Sequence, residues 1–279
     1  MKSKVYFTRE ITPEKVVELY HALGVQLPGK VAVKVHSGEK GNQNFLRPEF
    51  WRPMVEEVRG TVVECNTAYG DATAGVRDHT EAHRKLLEEH GWTKYFDVDL
   101  MDAEGPDVVW PIPNGKILKE NHLGKNIVNY DSMLVLAHFK GHPMGGYGGA
   151  LKQLAIGCAS ARGKALIHSA GKTDDRFKTW EQHASAVVFP EAMADAASSV
   201  AEHFQGKIAF INVMKNLSVD CDCCAVAEDP CMKDIGILAS LDPVAIDQAC
   251  IDLVVNSDDP GKEQSTDRFF ITLMKAIFP

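Results

Sequence analysis

Histidine, lysine and glycine crowd one stretch of this 279-residue chain, and cysteine crowds another. The first stretch runs from His138 to Lys152, with His142 inside it and five glycines (Gly141, Gly145, Gly146, Gly148 and Gly149) within nine residues. Glycine lets backbone approach a ligand closely. Amides that lead into a helix N-terminus suit a phosphate or carboxylate, and Lys140 and Lys152 add positive charge. His142 is the candidate to move a proton. The spacing is neither a P-loop, since no Gly-Lys-Ser/Thr closes it, nor GxGxxG. The plain alternative is a surface loop with solvated histidines.

The second stretch is Asp220-Cys221-Asp222-Cys223-Cys224, followed by Cys231. Thiolates bind soft or borderline metals, and C-x-C is a tight chelate. The spacing matches neither the paired CxxC of zinc sites nor the CxxCxxC of ferredoxins. Cys221 and Cys223 are therefore expected to join a ligand from elsewhere, such as Cys158 or His168, around a metal ion or an iron–sulfur cluster; reduced surface thiols are the alternative. A third stretch, Lys34 to Asn42, offers His36 and Glu39 as acid and base or as ligands, or else a turn held by Asn42. Asp242-Pro243 reads as a helix N-cap with proline at the first helical position, and Asp234 beside it as structural. His79 and His83, one turn apart, read as a solvated helix face rather than a chelate.

Alternating strands and helices position these clusters. Val31–His36, Thr61–Asn66, Met133–His138, Ile208–Met214 and Ile235–Ser240 have the composition of strands. Pro48–Val58, Arg77–His90, Leu151–Cys158, Glu191–His203 and Pro243–Val255 have that of helices. Asp102–Lys125 and Ser169–Gln182 read as loops. The expected fold is α/β, a mostly parallel sheet or sheets flanked by helices, as a single unit of 1–279 or as two lobes of about 1–128 and 129–279. The clusters each follow a strand, and open α/β sheets bind ligands at strand C-terminal ends.

Composition narrows the function classes. Hydrophobic residues make up 45% and charged residues 24%, as in an ordinary globular protein. The formal charge is −8 and no basic stripe appears, which argues against nucleic acid as a partner. No apolar run reaches the ~20 residues of a membrane span, and the N-terminus lacks a signal-peptide centre. Seven cysteines, four of them within eleven residues, do not look like a disulfide scaffold, so a reducing, cytoplasmic setting is expected.

The segments KVHSGEKGN, ECNTAYGD, HFKGHPMGGYGGALKQLAIGCASARGK and DCDC…DIGILASLDPVAID together resemble domain-of-unknown-function family 362, whose members are often described as having an iron–sulfur centre. They span residues 34 to 247. Many members carry a ferredoxin-like insert with CxxCxxC runs, whereas Ser169–Gln182 here holds no cysteine. More distantly, His142, Gly146, Tyr147, Gly149, Lys152 and His168 resemble the spaced pattern of nickel-pincer lactate racemases. That resemblance implies His142 as catalytic base, Lys152 as anchor of a nucleotide-like pincer cofactor and His168 as nickel ligand. Those racemases use a second histidine where Glu64–Gly70 offers Tyr69.

The expected function is thus a metal- or iron–sulfur-associated α/β protein, an enzyme with redox chemistry on a small anionic ligand. Its expected cofactor is a metal ion, a cluster or a nucleotide-like group, with a redox protein as a possible partner. Racemase-like chemistry and a non-catalytic anion-binding module are the alternatives.

Overall fold

The computed structural model describes residues 3–70, 75–105 and 107–265. The strands are β1 (Val5–Thr8), β2 (Val31–Lys34), β3 (Thr61–Glu64), β4 (Val98–Leu100), β5 (Val108–Pro111), β6 (Glu120–Leu123), β7 (Ser132–His138), β8 (Lys140–His142), β9 (Gly146–Gly148), β10 (Ile208–Met214) and β11 (Gly236–Ser240). Seven of them form one sheet in the order β1-β11-β10-β7-β2-β3-β4. The five from β10 to β4 are parallel, and β11 and β1 close one side antiparallel. The two remaining pairs, β5 with β6 and β8 with β9, are separate antiparallel hairpins.

Alternation along the strands assigns two faces. Val31, Val33, Leu134, Leu136 and Ile211 pack toward α1 (Pro13–Ala22), α2 (Pro48–Glu57) and α3 (Thr80–Glu89). Ala32, Met133, Val135 and Phe210 face the other way. They meet the short α4 (Ala150–Lys152), which continues as a wide π turn over Gln153–Gly157, and α5 (Ala161–His168), α6 (Val188–His203) and α7 (Pro243–Val255). A sheet covered on both faces requires continuous apolar strands, and β7 and β10 are buried at every position.

Several helix ends follow local chemistry. Asp242 caps α7 by accepting from the Val244 and Ala245 amides, at 2.9 and 3.0 Å, with Pro243 next in line. Asp234 accepts from the Asn216 amide at 2.8 Å and is structural. Other elements differ from the sequence expectation. The helix expected over Arg77–His90 begins only at Thr80, leaving His79 exposed at the N-cap position and turning His83 into the core. These two histidines therefore share no solvated face. The expected loop Asp102–Lys125 contains the β5–β6 hairpin, and the glycine stretch contains β8 and β9.

Chain order sets the site. From β2 the chain moves outward to β3 and β4, then returns to the other side of β2 to lay down β7 and β10. The direction reverses between β2 and β7, whose C-terminal ends flank the crevice where such sheets bind ligands. Strands from both sides of residue 128 are interleaved in this one sheet. No described helix is long and apolar enough to cross a membrane.

Candidate functional site

A cavity of about 40 Å³ lies at this switch point. Its wall takes Lys34 and His36 from the end of β2, and Glu64 and Tyr69 from β3 and beyond. Arg77 precedes α3, and Lys152 and His142 come from the glycine stretch. Lys164 and His168 sit on α5, and Cys223 comes from the loop after β10. The clusters at residues 36, 142 and 223 thus meet, as does His168.

Charge dominates the wall. Lys34 donates to Glu64 at 2.8 Å, and Arg77 reaches Glu39 at 2.9 Å and Glu64 at 3.8 Å. Burial would raise the Glu64 pKa, but Lys34 and Arg77 overcome it and hold the carboxyl at about 2. Lys152 is 4% exposed, and its ammonium donates to the Cys221 sulfur at 3.5 Å. Lys164 donates to the Ala159 carbonyl at 2.6 Å.

The three histidines differ in what their rings can do. Burial, then Lys152, keeps the His142 pKa well below its usual range; burial and Arg77 do so for His36; and burial holds His168 at about 4. All three are neutral at pH 7, so each carries one ring proton. The His142 Nδ1 accepts from the Gly145 amide at 2.9 Å, and the His36 Nδ1 from the Gly38 amide at 3.1 Å. Their protons therefore sit on Nε2, which makes both rings donors. The His168 Nδ1 instead donates to the Lys164 carbonyl at 2.7 Å, which leaves its Nε2 with a lone pair. His142, expected as the base, is thus arranged as a donor, and His168 is the ring with the lone pair.

Other expected residues are committed elsewhere. Glu39 accepts from Arg77, from the Lys40 amide at 2.8 Å and from the Val76 amide at 3.0 Å, so it holds Arg77 and is not an available acid or base. Lys140 pairs with Asp222 at 2.7 Å, and His138 meets the same carboxylate at 2.9 Å; neither lines the cavity. The anion expected at the glycine-rich turn is supplied by the protein itself. Asp247 accepts from the Ala150 and Leu151 amides at 2.8 and 2.9 Å, and a Cβ at Gly149 would come within 2.4 Å of it. A Cβ at Gly148 would make only ordinary contact with the Lys140 stem, at 3.6 Å, whereas Gly146 supplies a left-handed turn at φ 78°. None of Gly145, Gly146, Gly148 and Gly149 lines the cavity.

Among the described residues, His142, Cys221 and Cys223 are the group of three whose ligand atoms all lie within 4.8 Å of one another. Ligands of a tetrahedral ion with bonds of about 2.0–2.3 Å sit roughly 3.3–3.8 Å apart, so small shifts would close the two sulfurs on one ion, while His142, its Nδ1 lone pair taken by the Gly145 amide and its Nε2 protonated, stays a donor. Cys158 lies outside the group. It is buried beside Cys65, and burial pushes its thiol up to about 11. The donors therefore suit a single thiophilic ion better than a cluster with four thiolates. A cavity of about 40 Å³ is also far below the ~300 Å³ of pockets that take a cofactor, so a nucleotide-like group does not fit it.

Sequence reasoning missed Lys34, Glu64, Arg77 and Lys164 as site residues. Lys34 and Glu64 do carry a signal, being charges that directly follow apolar residues at the ends of four-residue strands.

Fold and site define an α/β protein of doubly wound type with a cationic cavity at its switch point. The chain belongs to the family described as Domain of unknown function (DUF362), whose model matches residues 31–252. No functionally curated protein matches it by sequence. Among solved structures, it is similar to the lactate racemase apoprotein from Thermoanaerobacterium thermosaccharolyticum, with 13% identity and a TM-score of 0.45, covering 74% of this chain and 50% of that one. It is also similar to a structural-genomics protein from Thermotoga maritima, with 12% identity and a TM-score of 0.48, covering 90% of this chain and 60% of that one. The chain thus spans half to three-fifths of the length of these structures.

Proposed function

We propose that this chain is an enzyme that binds a small anion in the switch-point cavity, beside a thiophilic metal ion held by Cys221 and Cys223. The charge on the cavity wall carries this reading. Three cationic side chains, Lys34, Arg77 and Lys152, line the cavity together with the Lys164 amine and one carboxylate, Glu64. Counting Glu39 behind Arg77 still leaves three cations against two anions. Buried charge without a partner is costly, and an anion in the cavity would remove that cost.

Each group then has a task. Lys152 and Arg77 neutralise the anion, while the His36 and His142 Nε2–H groups donate to its oxygens. His168 Nε2 is the acceptor for a proton leaving the ligand. A bound metal ion would supply Lewis-acid polarisation at the cavity wall. Lys152, beside the Cys221 sulfur, would steady a ligating thiolate by donating to it.

Elemental analysis of anaerobically purified protein, paired with thermal melts in formate or phosphate, tests the reading. About one metal ion per chain, lost in Cys221→Ser/Cys223→Ser, is expected. Melting temperature should also rise with anion concentration, as binding to the folded state requires. Protein that takes up no metal and gains nothing from either anion overturns it.

A further inference from the structure

We infer that Lys164 is an imine-forming amine for small 2-oxo acids, an inference that rests on the anion cavity proposed above. Three lysines line that cavity, and two are already engaged. Lys34 is ion-paired with Glu64 at 2.8 Å. Lys152 faces the Cys221 sulfur at 3.5 Å; burial pulls its pKa down, but Cys221 and Cys223 raise it overall. Lys164 makes one hydrogen bond, to the Ala159 carbonyl at 2.6 Å, and no ion pair among the described residues.

The surroundings of Lys164 favour the uncharged amine that nucleophilic attack requires. The residue is 6% exposed. Burial lowers its pKa; Cys65, Asp102 and Glu64 offset only part of that, and Lys34 adds to the lowering. His168 lies one turn further along α5, lines the same cavity and holds its lone pair on Nε2. An amine and a base are thus carried on one helix, with Arg77 and Lys152 across the cavity to hold a carboxylate.

The ligand class follows from these positions. The carboxylate meets Arg77 and Lys152, and the adjacent keto carbon meets Lys164. The amine nitrogen adds to that carbon to give a carbinolamine. The carbonyl oxygen then leaves as water, taking both amine hydrogens, and a carbon–nitrogen double bond remains; nothing is oxidised or reduced. The cavity of about 40 Å³ has room for roughly three waters, which limits the acid to two or three carbons.

Trapping with sodium borohydride in the presence of glyoxylate tests this on the whole chain. Hydride addition converts the imine to a stable secondary amine, read by intact mass and peptide mapping. One saturable adduct on Lys164 is expected, on the order of tenfold above any other lysine, suppressed by formate and absent in Lys164→Arg. Thermal melts in glyoxylate without borohydride are read alongside. A melting shift without an adduct on Lys164, or with the adduct on Lys152 or spread over surface lysines, overturns the role of Lys164 and leaves the anion cavity standing. Neither shift nor adduct overturns both. Should Lys164→Arg fail to fold, mapping of the unsubstituted protein still decides.

Discussion

Replacing Lys152 by methionine removes a buried charge while nearly conserving length and volume, and so sets stability against binding. The ammonium is 4% exposed and its near partner is the Cys221 sulfur. The two neighbouring sulfurs raise its pKa only once they have lost their own protons. The Cys221 thiol is pushed well up, first by its contact with Cys223 and then by burial, and Cys223 is raised as well. In metal-free protein at neutral pH the ammonium therefore faces neutral thiols. Exchanging such a charge for a packed apolar side chain stabilises by about 1–4 kcal/mol. The middle of that range corresponds to a rise of roughly 5–10 °C in melting temperature for a chain of this size. The same substitution deletes one charge-assisted hydrogen bond to the anion, worth about 1.5–3 kcal/mol, or roughly ten- to hundredfold in affinity. Calorimetric melting of metal-free protein and isothermal titration with formate measure the two sides. A Lys152→Met protein that melts lower and binds formate as before would refute the charge argument.

Glu64 and Asp247 give stability limbs of opposite sign. The Glu64 pKa is lowered from 4.5 to about 2, so its contribution of about 3 kcal/mol is complete above pH 4.5 and is lost as pH falls toward 2. Urea unfolding at pH 7 and pH 3 should show Glu64→Gln costing about 3–5 kcal/mol at the higher pH, where Lys34 loses its partner, and far less at the lower. Burial raises Asp247 from 3.8 to about 6, so stability falls by about 3 kcal/mol as pH rises through that interval and is flat beyond it. Asp247→Asn should abolish that slope in the same measurement. Gly149→Ala forces a Cβ to within 2.4 Å of the Asp247 carboxylate, and a loss of about 1–3 kcal/mol is expected in the same unfolding curves.

The α/β class and the central strands were legible because long apolar runs such as Met133–His138 admit few other readings. The strands that escaped notice have three residues (β4, β8 and β9) or four (β1, β5 and β6), too short for periodicity to register. Which residues would enter the cavity was legible only in part. His36, His142, Lys152 and Cys223 follow strands or glycine turns, so their types and positions drew attention, while His168, at the end of α5, entered as a ligand from elsewhere and through the racemase resemblance. Arg77 was expected on a helix face, and only its pairing with Glu39, 38 residues away, turns it inward. The glycine turn misled for a related reason. Its amides do bind an anion, but that anion is Asp247, 97 residues further along the chain, and nothing local in either segment announces the partner.

That internal carboxylate also explains why the cavity has the charge it has. With Asp247 satisfying the amides at the start of α4, the backbone there is neutralised without a ligand, and Lys152, two residues into that turn, is fixed in place. The Asp222 carboxylate likewise satisfies Lys140 and His138 behind the cavity wall, and Glu39 satisfies Arg77. The protein thus places carboxylates where they anchor cationic side chains or backbone, and leaves Lys152 and Lys164, on the cavity side, without carboxylate partners among the described residues. A fold selected for stability alone would replace those two lysines with apolar residues. Their placement at the switch point, between neutral histidines that offer two donors and one lone pair, is what an anion that gives up a proton would require.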